Sequence, residues 1–381
     1  MTLSVCVLAK NEAHSLPRLL QSVVPLAPTE VLVGDVESGD GTARVAAAGG
    51  ARVTAVPWQD DFSTARNAVL AQARGDWVLW LNPDEEVVSF SPQQVRAALA
   101  MSGVLAYAVR VQAQARADRP DAVSETAELR LFRRRPDVRF VGRLHPQFAT
   151  PLEALARRES KQVGPLDLAV RTHAYQSTVT PDKLRWAARL LELELKDRPG
   201  QLHYRVEYGR TLLRLNDPRG HDVLAEACET MLARRRDERP PPAAGDVLEY
   251  ALTVSPGQSR LRLSREEACE LALHWFPDSP PVLWRVAEYY FQAGNPGLAA
   301  GLLDQLVQFG RTGAYDHSAA FDPDIIGPAA VLNLGVCRLR QGALDRAEEC
   351  FRSLLSDAAH AARARTGLAD VQRARPAAPP G

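Results

Sequence analysis

Short apolar segments alternate with segments of helical spacing over about the first 85 residues. Residues 3–8 are a buried-strand candidate, and Leu16, Leu19, Leu20 and Val23 then recur at helical spacing. The same alternation continues with strand candidates at 30–35, 51–56 and 77–81 and helix candidates at 43–48 and 63–73. This order predicts an α/β domain with a mostly parallel sheet and helices on both of its faces.

Polar segments follow these strand candidates, at the edge of the sheet where ligands bind in such folds. They are Lys10-Asn11-Glu12, residues 35–42, residues 58–61 and residues 82–86. The carboxylates of residues 84–86 have the oxygen ligands that Mg²⁺ and Mn²⁺ prefer. A Pro-Asp-Glu turn is also common as a solvated loop, so this segment by itself leaves both interpretations open.

From about residue 181 the pattern becomes helical throughout, and it repeats. Ala287, Gly294, Ala299 and Leu303 recur, at the same spacing, as Gly335, Gly342, Ala347 and Phe351. Small residues at the first three positions allow paired helices to approach closely, as in the tetratricopeptide repeat, which this pattern resembles. A looser copy is expected near Tyr208-Gly209. We therefore expect three segments: residues 1–180 as the α/β domain, 181–374 as helical repeats, and 375–381 as a disordered tail.

Composition narrows the class of protein. The 381 residues include 46 basic and 46 acidic side chains, and this zero balance argues against a general nucleic-acid binder. The five cysteines are scattered and none forms a C-x-x-C pair, which argues against a disulfide framework and a zinc site. We expect no signal peptide and no membrane span, because the first residues lack a basic leader and no apolar run approaches about 20 residues. The expected location is cytoplasmic.

Several motifs occur in an order that resembles family 2 glycosyltransferases with the GT-A fold, in the branch that carries C-terminal tetratricopeptide repeats. The segments that carry the resemblance are Val5-Cys-Val-Leu-Ala-Lys-Asn-Glu12, residues 33–42, residues 58–67, residues 75–85, Arg130-Leu-Phe-Arg133, Phe140-Val-Gly-Arg-Leu-His145 and His173-Ala-Tyr175. Each motif is modestly specific, whereas the ordered set is highly specific. The resemblance implies a GT-A catalytic domain followed by an α-helical solenoid.

The resemblance also implies which residues bind a nucleotide-sugar donor. Asp35 would bind the base or ribose, and Asp40 would hold its loop, although either carboxylate could instead cap the next helix. Arg66 and Asn67 would lie near the base or phosphates, unless Arg66 forms a surface ion pair. Four further residues would line the same site: Lys10, Asn11, Glu12 and Asn82.

A divalent cation, Mn²⁺ or Mg²⁺, is a further implication of the resemblance. Asp84 would ligate it as the last carboxylate of the family's D-x-D motif, and His145 is a candidate ligand or phosphate contact that could equally be structural. Three positions depart from the family's pattern. Asn82 replaces the first carboxylate, which should weaken metal binding, Glu37 replaces a small residue, and Pro146 replaces a glutamate that follows His145 in relatives.

The catalytic base is not identified by these motifs. Inverting transfer needs a base within reach of the acceptor hydroxyl, and Glu85, Asp61 and Glu86 are the candidates. The implied activity is transfer of a sugar, from a UDP-sugar, to an acceptor that is a protein, a peptide or a glycan, with a protein partner on the repeats. The main alternative is a catalytically weakened relative that acts as a scaffold. A nucleotidyltransferase is disfavoured, because no glycine-rich basic loop follows the first strand.

Overall fold

The computed structural model describes residues 1–116, 119–173, 180–233, 240–241, 243–255 and 257–375, and it divides into two compact units, residues 1–200 and 201–381. Two expectations fall partly outside these residues. Of the segment His173-Ala-Tyr175 only His173 is described, and of the expected tail only Arg375, which pairs with Asp345 and Glu348.

The first unit is built on an eight-stranded mixed sheet with the order β3-β2-β1-β4-β7-β6-β10-β5. Its strands are β1 (Leu3–Ala9), β2 (Glu30–Asp35), β3 (Arg52–Ala55), β4 (Trp77–Leu81), β5 (Glu85–Phe90), β6 (Val104–Arg116), β7 (Arg119–Arg133) and β10 (Gln162–Thr172), and β8 (Phe140–Val141) pairs separately with β9 (Gln147–Phe148). Strands β1 to β4 are mutually parallel, as predicted, whereas β7 is antiparallel to both β4 and β6. The carboxyl ends of β1, β2 and β4 therefore share one edge.

Helices cover both faces of this sheet. They are α1 (Leu16–Val23), α2 (Thr42–Ala48), α3 (Phe62–Leu70), α4 (Pro92–Ala100) and α5 (Leu152–Arg158). The last helix of the unit is α6 (Pro181–Asp197). One core, which includes Leu16, Leu19 and Trp77, lies on the α1 face, and a second, which includes Val69 and Phe132, lies on the α3 face. Apolar burial on both faces explains why these strands read as nearly continuous apolar runs.

The structure divides after Gly200 and not after residue 180, because α6 belongs with the first unit. The buried carboxylate of Glu194 accepts the Arg143 backbone N–H at 2.8 Å. Arg143 also pairs with Asp197 at 2.6 Å, and Arg189 pairs with Asp60 at 2.7 Å. The change to helical periodicity at about residue 181 therefore marks the last helix of the α/β unit.

The second unit is helical wherever it is described. Its helices are α7 (Leu202–Arg214), α8 (Arg219–Leu232), α9 (Ala244–Thr253), α10 (Arg265–Trp275), α11 (Pro280–Gln292), α12 (Pro296–Thr312), α13 (Pro328–Arg340), α14 (Leu344–Ser353) and α15 (Ala361–Ala374). The predicted repeats are the pairs α11–α12 and α13–α14. Gly294 and Gly342 form the turns, with φ of 80° and 76°, a conformation that favours glycine. The looser copy corresponds to α7–α8.

Candidate functional site

Parallel pairing brings the predicted site segments together. Ala9 at the end of β1 is paired with Asp35 at the end of β2, and Val7 is paired with Leu81 at the end of β4. Because parallel strands finish at the same edge, the loops that begin at Lys10, Val36 and Asn82 leave the sheet side by side. Most of the sequence-predicted residues lie on these loops or on α3.

Asp35 is the most distinctive side chain of this edge. Its backbone carbonyl accepts the Val56 N–H at 2.9 Å, which continues the pairing of β2 with β3. Its carboxylate oxygen Oδ1 is buried and has no hydrogen-bond partner in the part of the chain that the structure describes. Buried carboxylate oxygens normally accept a hydrogen bond, so this one suits a ligand N–H or O–H. Capping of the following helix is not its role in this structure, since α2 begins at Thr42.

Asp40 ties two loops together. Its Oδ1 accepts the Thr42 N–H and hydroxyl at 2.9 and 2.5 Å, and its Oδ2 accepts the Ala13 N–H at 3.0 Å. The Thr42 hydroxyl also accepts the Glu12 N–H at 2.8 Å. The pKa of Asp40 is lowered, chiefly by the hydrogen bond from the Thr42 side chain. Asp40 therefore ties the loop after β2 to the loop after β1, and its predicted role in the donor site stays a prediction.

The loop after β1 is held by its own hydrogen bonds, which leave one cation exposed. Asn11 has φ of 57°, its backbone N–H donates to Ser38 Oγ, and its amide oxygen accepts the Gly39 N–H, both at 2.9 Å. Lys10 is exposed, with its ammonium 5.6 Å from the ring centre of Trp58. Among the described residues Lys10 has no ion-pair partner. It is thus available to an anionic group.

Asn82 and Glu85, which follow β4, are joined by two hydrogen bonds. Glu85 Oε2 accepts the Asn82 backbone N–H at 2.7 Å, and Oε1 accepts the Asn82 amide Nδ2 at 2.9 Å. Glu85 is 2% exposed and also pairs with Arg130 at 3.1 Å. Burial raises the pKa of Glu85, while the charge of Arg130 opposes the rise. An amide at position 82 can donate to this carboxylate, whereas a second carboxylate could not, which gives the departure from D-x-D a physical reason.

The proposed metal ligand Asp84 lies in the turn between β4 and β5. Its Oδ2 accepts the Thr172 hydroxyl at 2.8 Å, and its backbone carbonyl accepts the His173 N–H at 3.0 Å. The His173 ring is itself 3.1 Å from Glu86. His145 lies on another loop, is exposed, and has φ of 48°.

No group of three or more His, Cys, Asp or Glu side chains within the described ranges could hold a metal ion. The oxygens of Asp84 and Asn82 therefore do not make a protein-only cage. They fit a cation of the Mg²⁺ type, which commonly binds through one or two protein oxygens and takes its other ligands from substrate phosphates and water.

Arg66 and Asn67 are neighbours on α3 with different roles. The Arg66 guanidinium lies 5.2 Å from the ring centre of Trp80 and 5.3 Å from that of Phe140, and its Nε has no hydrogen-bond partner in the described chain. Burial, followed by the nearby charge of Arg130, lowers the pKa of Arg66 to about 10. A half-buried, positively charged side chain whose buried Nε lacks a partner suits an anionic ligand.

Asn67 is engaged with protein backbone. Its Nδ2 donates to the Phe140 carbonyl at 2.8 Å, and its Oδ1 accepts the Phe140 N–H at 2.9 Å. The amide thus anchors β8 to α3. Its predicted place near the donor stays a prediction, but the side chain's hydrogen bonds are those of a structural residue.

The two principal base candidates are also held by the protein. Asp61 is the N-cap of α3, where it accepts from the Thr64 N–H at 3.0 Å and the Ser63 hydroxyl at 2.6 Å. These hydrogen bonds lower the pKa of Asp61 despite the opposing effect of its burial. Glu85 is buried in the arrangement with Asn82 and Arg130. The assignment of either residue as base stays untested.

Three residues of the site were absent from the sequence-based list of candidates. The sequence presents Arg130 only as part of a motif, gives no motif for Thr172, and predicts that Trp186 lies within the helical repeats. Trp186 stacks on Trp58, and with Phe62 they line a pocket of about 320 Å³ beside Lys10. No local sequence signal distinguishes Trp186, because its position depends on how α6 packs.

Comparison with known proteins finds one family model and two curated relatives that match parts of this chain. Residues 4–160 match the model of Glycosyl transferase family 2. A TPR repeat-containing protein of Synechococcus elongatus is 32% identical over 260 residues, which are 66% of this chain and 60% of that protein. An uncharacterized glycosyltransferase of Rickettsia bellii is 34% identical over 85 residues, 22% of this chain and 28% of that protein. The chain thus spans three fifths of the first relative's length and less of the second's.

Among solved structures, glucosyl-3-phosphoglycerate synthase from Mycobacterium tuberculosis, crystallised with Mn²⁺ and UDP, aligns with a TM-score of 0.35 at 20% identity, covering 51% of this chain and 80% of that one. Mannosyl-3-phosphoglycerate synthase from Rubrobacter xylanophilus aligns with a TM-score of 0.34 at 16% identity, covering 52% and 75%. The structure itself confirms the predicted order of an α/β unit followed by a unit that is helical in its described residues. In the described part, no helix combines the length and apolarity that a bilayer crossing requires.

Proposed function

We infer that this chain, which belongs to glycosyl transferase family 2 through its residues 4–160, transfers a sugar from a nucleoside diphosphate donor to an acceptor. The observation that carries the proposal is the buried, unpartnered Oδ1 of Asp35 at the end of β2. A nucleobase N–H or a ribose hydroxyl supplies the donor that this oxygen lacks. The proposed donor is a UDP-sugar, as the resemblance implies.

Other side chains of the same edge have complementary roles in this proposal. Asp40 keeps the loop after β2 in place through Thr42 and Ala13. Lys10 and Arg66 supply positive charge for the phosphates. Asp84, with the Asn82 amide oxygen, would hold Mn²⁺ or Mg²⁺. A bound cation would neutralise the negative charge that develops on the departing diphosphate.

The second part of the proposal concerns the acceptor. Inverting transfer requires a base for the acceptor's proton, and both principal candidates are engaged in hydrogen bonds within the protein. We propose, following the resemblance, that the acceptor is a protein, a peptide or a glycan, and that the helical unit binds a protein partner. Repeat units of this kind offer extended surfaces for such partners.

Donor hydrolysis tests the proposal without knowledge of the acceptor. Purified protein is incubated with UDP-, GDP- and dTDP-sugars in Mn²⁺, Mg²⁺ or chelator, and release of nucleoside diphosphate is measured. We expect metal-dependent release from one donor, and loss of it in Asp84→Asn, which keeps an acceptor for Thr172 but removes the charge. Asp167→Asn, at an exposed carboxylate that pairs with Arg110, is the control.

Two other outcomes would change the conclusion. Calorimetric binding of a nucleotide without release from any donor sugar, with or without candidate acceptors, would favour the scaffold alternative. If neither release nor binding of UDP, GDP or dTDP occurs, the glycosyltransferase assignment is wrong.

A further inference from the structure

Helix α6 contributes an aromatic side chain to the pocket at the ends of β1 and β2. The pocket, about 320 Å³, is lined by Leu8, Ala9, Lys10, Val36, Trp58, Phe62 and Trp186. The rings of Trp58 and Trp186 are stacked, with centroids 6.2 Å apart and an angle of 27° between planes. Phe62 meets both edge-on, at 4.9 and 5.9 Å. The three rings form one continuous aromatic wall.

The position of Trp186 is imposed by the contacts of α6. Arg189, one turn further along the helix, pairs with Asp60 at 2.7 Å, and Asp60 also accepts the Trp58 Nε1–H at 3.1 Å. Nearer its end, the helix is held by the bond from the Arg143 N–H to buried Glu194. The Asp60 carboxylate therefore links α6 to Trp58. This helix lies beyond residues 4–160, which match the family model.

These contacts hold α6, and with it Trp186, in place. The Trp186 side chain is nevertheless 38% exposed and is one of the large apolar side chains that contact solvent. Exposed aromatic surface that lines a pocket is typical of ligand sites. The chemistry around it specifies the ligand: an aromatic wall suits a planar ring, and the Lys10 ammonium beside it suits a negative charge. Asp35, whose Oδ1 is unpartnered, immediately precedes the lining residue Val36.

We propose that Trp186 is a binding residue of the donor site, and that the aromatic wall it forms with Trp58 and Phe62 is the surface on which the donor's nucleobase stacks. The proposal rests on the proposed function, since it requires a nucleotide donor. It adds that the α/β fold of residues 4–160 alone does not complete the site. The helix that precedes the helical unit supplies part of it.

The experiment compares nucleotide binding by full-length variants, with calorimetry against UDP, GDP and dTDP. Base–aromatic stacking is worth about 1–3 kcal/mol, so we expect Trp186→Ala to bind the preferred nucleotide about tenfold to hundredfold more weakly. Trp186→Phe retains a ring and should recover most of the affinity. Arg185→Ala is the matched control, because this neighbouring side chain is exposed and pairs with Asp182 on the same helix. In donor hydrolysis, KM should rise in Trp186→Ala while kcat changes little.

The outcomes separate this inference from the proposed function. If the wild-type protein binds no nucleotide, both are wrong. If it binds and turns over a donor but Trp186→Ala binds equally well, only the role of Trp186 is wrong. Equal weakening in Trp186→Phe and Trp186→Ala would also overturn stacking. Unfolding curves that match the wild type show that a loss of binding is local, as expected for a side chain that fills no closed cavity.

Discussion

The motif and the structure predict opposite effects when Asn82 is replaced with aspartate. By resemblance, Asn82→Asp restores the first carboxylate of D-x-D and should strengthen metal binding. In the structure, however, the Asn82 amide donates to Glu85 Oε1 at 2.9 Å, and Glu85 is buried. An aspartate would place two carboxylates in contact, without a proton between them.

A lost hydrogen bond and a new charge repulsion determine how much stability the Asn82→Asp variant loses. Loss of a hydrogen bond to a charged group costs about 1.5–3 kcal/mol. Two like charges about 4 Å apart repel by about 4 kcal/mol at an effective dielectric constant near 20. Uptake of a proton by the pair limits this repulsion, and Arg130 near Glu85 offsets part of it. We therefore expect Asn82→Asp to lower the free energy of unfolding by about 3 kcal/mol at pH 8.

The loss of stability in Asn82→Asp should be larger at high pH than at low pH. The pKa of Glu85 is already raised by burial, and a second carboxylate raises the pKa of the pair further. The folded variant then binds more protons than the unfolded chain, in which these carboxyls have pKa values near 4. The destabilisation is complete above the raised pKa and diminishes as the pH falls towards about 4 to 5.

A double-mutant cycle with thermal unfolding at pH 5 and pH 8 measures the effect. The variants are Asn82→Asp, Glu85→Gln and the double variant, in which the introduced glutamine amide can donate to the introduced aspartate carboxylate. We expect the double variant to be more stable at pH 8 than the sum of single effects, by about 2 kcal/mol or more. Additive effects, or an Asn82→Asp variant as stable as the wild type at pH 8, would refute the proposed pairing.

Two further predictions concern structural contacts of the two units. Asn67→Ala removes both hydrogen bonds to Phe140 and should destabilise the first unit by about 2 kcal/mol in urea unfolding. The exposed Gln72→Ala should cost less than about 0.5 kcal/mol, and equal effects would contradict an anchoring role for Asn67. In the repeats, a methyl group at Gly335 would lie 2.7 Å from Cε1 of buried Phe351, so Gly335→Ala should destabilise by about 1–3 kcal/mol. Gly301→Ala, in open space on α12, should instead stabilise by up to about 1 kcal/mol, and similar shifts would argue against close packing at Gly335.

The order of strands and helices from β1 to β4 followed directly from periodicity. Runs at 3–8, 30–35, 51–56 and 77–81 became β1 to β4. The two central strands β1 and β4 are buried along nearly their whole length, which leaves an unbroken apolar signature. The repeat glycines Gly294 and Gly342 were likewise predictable, since both occupy a turn that disfavours other residues. These features depend on local sequence alone.

The pairing of the strands after β4 and the place of α6 were beyond the reach of the sequence. The antiparallel position of β7 between β4 and β6, and the attachment of α6 to the first unit, depend on contacts between residues far apart in the chain. The roles of individual polar residues depend on the same contacts. Asn67 and Asp61 are predicted site residues on the basis of motifs, and only their partners in space show that both side chains also hold parts of the protein backbone.

The sequence by itself determined the two-part architecture, the resemblance of the first part to family 2 glycosyltransferases, and the segments that meet at one edge of the sheet. Those properties follow from periodicity and from ordered motifs. The tertiary structure decided what each side chain does there: it leaves Asp35 Oδ1 unpartnered, joins Asn82 to Glu85, and brings Trp186 beside Trp58. The physical reason is that hydrogen bonding, burial and charge are set by neighbours in space, which no local pattern of residues specifies.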